Sequence, residues 1–122
     1  MAETRYHIEL YQERDGRCPV EDWLGSLRKS NPKTAAKAVW LLDVLANQGT
    51  ELSMPYVQHI EGPIWELRAR RSSDAIRIYY WQQGKTLFVA AAGEVKQQDK
   101  ADPQLVHYAL LAHKDYQARK ED

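Results

Sequence analysis

Residues 64–81 read IWELRARRSSDAIRIYYW. Two runs in this stretch, Ile64–Arg70 and Ala75–Trp81, alternate with period two, and Ser72-Ser73 stands between them. Alternation of this kind belongs to half-buried strands, and a two-residue connection closes a tight hairpin. The connection sets the register. Arg71 falls opposite Asp74, Ala69 opposite Ile76, Leu67 opposite Ile78 and Trp65 opposite Tyr80. The last three pairs are apolar or aromatic, so that face belongs to the core and the register supports itself. On the other face Arg68 must then lie directly opposite Arg77, with Glu66 opposite Tyr79.

Working outward, Gln83-Gly84 leads into Thr86–Ala92, a third run. A tight turn there puts Leu87, Val89 and Ala91 on the core face, opposite Tyr80, Ile78 and Ile76. Phe88, Ala90 and Ala92 join the arginine face, with Ala90 opposite Arg77; Glu94 and Lys96 share that parity. Asp102-Pro103 starts a last helix carrying Leu105, Ala109, Ala112 and Tyr116 at helical spacing. Upstream, Tyr6–Tyr11 alternates as a strand, with Tyr6, Ile8 and Leu10 on one face. Pro19 opens a short amphipathic helix with Val20, Trp23, Leu24 and Leu27 on its buried side. Asn31-Pro32 caps a second helix whose stripe is Ala35, Ala38, Leu42, Leu45 and Ala46, with Gly49 at its end. Thr50 to Gly62 reads as an ordered loop. The expected architecture is α+β: an antiparallel meander with an N-terminal strand, and helices packed on one face. Residues 1–122 form one domain, since no repeat or linker divides them.

The charge balance is even, 17 Lys+Arg against 17 Asp+Glu, which argues against a generic polyanion binder. Its distribution is not even: residues 1–61 hold 7 basic and 9 acidic side chains, residues 62–100 hold 7 and 4. No run nears the length of a membrane span, and Met1–Arg5 lacks the pattern of a secretory signal. One cysteine, Cys18, allows no intrachain disulfide. These features point to a soluble cytoplasmic protein with no membrane association.

The register makes the arginine face the candidate site. Like charges opposed across strands repel, so Arg68 and Arg77 beside small residues suit an anion; Arg70 and Lys96 extend the patch, and Tyr79 and Phe88 sit at its edge. The competing reading is a solvated outer face on which Glu66 neutralises one arginine. His7, His59, His107 and His113 are scattered, so no metal is expected, and the chain has no nucleotide-cofactor loop or catalytic triad.

Strand, helix, helix, meander and helix, in that order, together with "GRCPVEDWL" (16–24), "GTELSMPYV" (49–57), "IWELR" followed by "IRIYY", and "EVKQQDKADP" (94–103), resemble the RelE/ParE toxin superfamily. The likeness is greatest to its HigB-like, phage-derived host-killing branch and runs from about Tyr6 to Tyr116. It implies the toxin of a type II toxin–antitoxin pair: an mRNA endoribonuclease needing no cofactor or metal, often acting at the ribosome. A cognate antitoxin, commonly of helix-turn-helix type, would neutralise it. Carried over residue by residue, the resemblance implies catalytic roles for Arg68, Arg77 and Lys96; two cationic neighbours would lower the Lys96 pKa for proton transfer, and Glu94 or Glu66 is the alternative acceptor of the 2′-hydroxyl proton. Arg70, Tyr79 and Lys100 would contact RNA. Relatives have an aromatic residue and a double lysine where this chain reads Glu94-Val95-Lys96-Gln97. That departure favours two alternatives: a ParE-like gyrase inhibitor that cuts no RNA, or a degenerate antitoxin-binding corepressor.

Overall fold

The structure is a computed structural model that describes residues 5–53, 55–97 and 100–121. Strand β1 (His7–Leu10) precedes helices α1 (Pro19–Ser30) and α2 (Pro32–Gln48). Strands β2 (Val57–Glu61), β3 (Ile64–Arg71), β4 (Asp74–Gln83) and β5 (Leu87–Lys96) follow, and helix α3 (Pro103–Glu121) closes the chain. The sheet order is β1-β5-β4-β3-β2, antiparallel except where β1 runs parallel to β5. The α+β class expected from the sequence is the one observed.

The central hairpin has the register read from its turn, from Arg71↔Asp74 to Trp65↔Tyr80, with Arg68↔Arg77 inside it. Ser72 takes a positive φ of 56°, as a tight hairpin turn demands. The caps of α2 also follow the sequence. Asn31 accepts a hydrogen bond from the Thr34 backbone N–H at 3.3 Å, and its own amide reaches Asp74 at 3.4 Å, tying the helix to the hairpin.

Three features differ. The segment expected as loop contains β2, which pairs with β3 from Val57↔Leu67 to Glu61↔Ile64. It is an edge strand of mixed polarity whose apolar residues point to opposite sides, Val57 into one core and Ile60 against the other. Alternation therefore could not reveal it. Second, β4 and β5 are joined by three residues, since Gln83 faces Leu87, and an irregularity after Tyr80↔Ala90 brings Tyr79 opposite Ala92. An extra residue of this kind is a β-bulge, which shifts side-chain parity along the strand. As a result Phe88 and Ala90 turn into the first core, Leu87, Val89 and Ala91 into the second, and Arg77 meets Glu94 rather than Ala90.

Third, helices cover both faces. Helices α1 and α2 enclose the first core with Leu67, Ile76, Ile78 and Tyr80. Helix α3 lays Val106, Ala109 and Ala112 over Ile64, Tyr79, Trp81 and Val89 on the opposite side. The arginine face is thus half core and half surface, because Tyr79 and Trp81 share the parity of Arg77 and need an apolar cover. None of the described helices is long and apolar enough to cross a membrane.

Two glycines allow close packing. A Cβ on Gly93 would lie 2.3 Å from the Trp23 ring, and one on Gly49, where φ is +52°, would lie 2.0 Å from Tyr6. We expect Gly49→Ala to cost about 2 kcal/mol, from backbone strain and overpacking together. Gly25→Ala, in α1 with nothing within 4 Å, should gain up to about 1 kcal/mol from helix propensity. Urea unfolding midpoints with unchanged m values would check both.

Candidate functional site

Strands β3, β4 and β5 bring Arg68, Arg77 and Glu94 into one row, flanked by the row Arg70, Ala75 and Lys96. Arg77 is only 1% exposed, and Glu66 beside it is 2% exposed. One carboxylate serves two guanidiniums. Glu66 Oε2 lies 3.4 Å from Arg77 Nε, and Glu66 Oε1 lies 3.6 Å from Arg68 Nη1. Arg68 also donates to Gln58 Oε1 at 3.1 Å. The repulsion expected of opposed arginines is thereby answered from within the sheet. Burial pushes the Glu66 carboxyl up from its ordinary value, Arg77 and Arg68 pull it back, and Glu94 adds to the rise.

The second half of the site is a relay into α3. Tyr79 donates its hydroxyl proton to Glu94 Oε2 at 2.7 Å. The Asp102 backbone N–H donates to the Tyr79 oxygen at 3.1 Å and to Glu94 Oε2 at 3.3 Å. Lys96 Nζ sits 2.9 Å from Asp102 Oδ2 and 3.6 Å from Glu94 Oε1, and Asp102 Oδ1 accepts from the Gln104 N–H at 2.9 Å, capping α3. A helix start is thus hydrogen-bonded to the floor of the site.

These positions amend several expectations. Arg77 is buried rather than exposed, while Arg68 is half-buried and Arg70 exposed. Tyr79 is wholly buried and offers no face to a base; burial, then its bond to Glu94, raises its phenol pKa. It positions Glu94 instead. The lysine pKa moves up, not down, because Lys96 meets carboxylates rather than cations: the Asp102 bond is the main cause and Glu94 adds to it. Lys100 is exposed in the segment joining β5 to α3. The structural parts of Asp102 and Gln58 were not singled out in the sequence. Asp102-Pro103 carried a helix-start signal, whereas Gln58 lies on the strand that alternation concealed.

A cleft of about 230 Å³ opens beside the arginines, lined by Pro55, Arg68, Ala69, Arg70, Ala75, Ile76 and Arg77. Its volume is below that of drug-sized pockets and suits a compact anionic group. Among the described residues no α3 side chain lines it, so the helix that covers Tyr79 leaves the arginine end open.

Acid should loosen α3 at both ends. Lys96 holds the Asp102 carboxyl below its ordinary value of 3.8; Tyr11, Arg14 and Arg119 hold Asp115 below its own. A depressed folded-state pKa contributes stability above the unfolded value that is lost as pH falls through the folded one. Glu66, shifted upward, has the opposite slope, in a window above 4.5. Below about pH 4, the protection of α3 amides relative to their intrinsic exchange rate at each pH should therefore fall, and Asp115→Asn should flatten that dependence. Exchange measured by NMR between pH 6 and pH 2.5 would check it.

No curated protein compared with the chain matches it. A family model does, described as "Phage derived protein Gp49-like (DUF891)", over residues 23–113, well over half of the chain and including the arginine hairpin, the final strand and most of α3. The chain belongs to this phage-derived Gp49-like family, a RelE-like group of toxin type.

Proposed function

We propose that the chain is the toxin of a toxin–antitoxin pair and cleaves RNA by internal transesterification. The observation that carries this is the pair of opposed arginines sharing one buried carboxylate beside an open, phosphate-sized cleft. A ribose 2′-hydroxyl attacks the adjoining phosphorus, the bond to the 5′-oxygen breaks, and a 2′,3′-cyclic phosphate and a free 5′-hydroxyl result. Arg68 and Arg77 neutralise the charge that grows on the phosphorane; as fixed donors they need no reorganisation in the transition state. Glu66 accepts the 2′-hydroxyl proton. Its raised pKa makes it a better base than an ordinary carboxylate, and it touches both guanidiniums that would hold the phosphate. Lys96, kept protonated by Asp102 and Glu94, supplies the proton for the departing 5′-oxygen. Arg70 and Lys100 steer the polyanion, and Tyr79 acts only by fixing Glu94. The natural partners are mRNA, met at the ribosome in the HigB-like manner, and a helix-turn-helix antitoxin.

One observation favours a second reading. With Glu66 already neutralising the arginines, the face could serve binding alone, as in a gyrase-directed toxin or a corepressor. Inducing the chain without a partner and mapping transcript 5′ ends separates these. New ends mark a nuclease, DNA breaks a gyrase poison, and unimpaired growth a binding domain.

Burial decides which variants to use. Arg77→Ala strands a buried carboxylate and should cost about 3–5 kcal/mol, which confounds any activity measurement. Arg68→Ala, at a half-buried position, and Arg77→Lys, which retains charge but loses the planar fork, are cleaner. Each should slow cleavage about 100-fold or more while melting within a few degrees of the parent. Full toxicity in both would remove the clamp.

A further inference from the structure

A second basic surface lies around the edge of β3 from the arginine cleft. Lys33, Lys37 and Trp40 of α2 face Arg70 and Arg71 across an open groove of about 480 Å³. Among the described residues its lining holds four cations and no carboxylate; Asp74, paired with Arg71 in register, accepts a bond from Asn31. Trp40 is 42% exposed and Tyr56 38%, two of the few large aromatic side chains left to solvent. Their rings meet edge to face at 6.3 Å, and Lys37 Nζ lies 4.0 Å over the Trp40 ring. Cations interleaved with solvent-facing rings are the chemistry that holds single strands, with charge tracking the phosphates and rings stacking the bases.

The groove and the cleft are joined. Arg70 lines both, and the Tyr56 carbonyl accepts the Arg68 backbone N–H at 2.7 Å, so the exposed aromatic pair starts where the clamp ends. We infer that Lys33, Lys37, Trp40, Tyr56 and Arg71 form an extended site for single-stranded RNA flanking the scissile phosphate, carrying the strand from the arginine cleft over the β3 edge onto α2. This rests on the ribonuclease reading above. Charge complementarity selects a polyanion, and the exposed rings select unpaired bases over a duplex, whose bases are already stacked.

The test uses the purified chain and dye-labelled 2′-O-methyl oligonucleotides, which lack the attacking hydroxyl. A trimer reaches the cleft alone; a 12-mer reaches the groove as well. Trp40→Ala should weaken 12-mer binding roughly tenfold and leave the trimer unchanged, and Trp40→Phe should recover most of the loss. Lys33→Ala with Lys37→Ala should lower the salt slope of 12-mer binding by about 1.4, the share of two single-strand phosphates. Unchanged 12-mer affinity in these variants, with trimer binding still dependent on Arg68, overturns the extended site and spares the clamp. Equal losses for a hairpin duplex of the same length overturn the single-strand assignment. Failure of the parent chain to bind either oligonucleotide removes the site together with the ribonuclease reading.

Discussion

The carboxylate of Glu66, nearly buried between two arginines on neighbouring strands, is the interaction on which this sheet turns. Without it, the register that packs Leu67, Ile76 and Ile78 into the core would bring two guanidiniums together without the carboxylate they share. Hydrophobic pattern and charge pattern conflict on the two sides of one hairpin, and the shared anion lets both stand. A buried ion pair adds little net stability compared with apolar residues of the same size. Stability alone therefore gives the pair little reason to be there, whereas the proposed role of holding an anion between the arginines does. In the proposed reaction a phosphate would meet one guanidinium, that of Arg77, already desolvated on folding.

The opposite end of the same face shows why the final helix belongs to the site. Tyr79 and Trp81 continue the parity of Arg77 and would be exposed without α3. The helix covers them and stops short of the arginines, and Asp102, the residue just before it, binds Tyr79, Glu94 and Lys96. The boundary between core and site is thus set by hydrogen bonds from one helix start. Farther along, Tyr108 donates to Glu13, Tyr116 to Glu9 and Tyr11 to Asp115. These phenol–carboxylate contacts fasten α3 to β1 and the loop after it. Movement of α3 would change the exposure of Tyr79 and Glu94 before that of Arg68, so the two halves of the site respond differently to whatever engages the helix.

How far the sequence could be read follows from these local rules. The β3–β4 hairpin was legible because a two-residue turn and one apolar face over-determine its register, and that alone located Arg68 opposite Arg77. The pairing of β5 was not, since its three-residue turn and its bulge each shift parity and a run of small apolar residues, Val89 to Ala92, fits either face equally well. That ambiguity hid the neighbour that matters, Glu94 opposite Arg77. Edge strand β2 was illegible for a related reason: with one partner strand and apolar residues on both sides, it has no dominant period. The helix caps at Asn31 and Asp102 were plain in sequence, but that Asp102 also grips Lys96 depends on where α3 docks, a property of the assembled sheet.

The same reasoning accounts for a chain with no net charge presenting so cationic an approach. Its acids are not scattered evenly over the surface. Glu66 and Glu94 are turned inward beneath the arginine row, and Asp115 is occupied by Tyr11, Arg14 and Arg119 at the far end of α3. What remains outward between α2 and the central hairpin is Lys33, Lys37, Arg70 and Arg71 with two exposed rings. Local potential over about a Debye length, roughly 8 Å at physiological salt, governs how an anion is drawn in, and total charge does not. Burying carboxylates under the cations they stabilise, and placing others on the opposite side, lets one small domain be neutral as a whole and strongly polarised between α2 and the central hairpin, the surface proposed above for RNA.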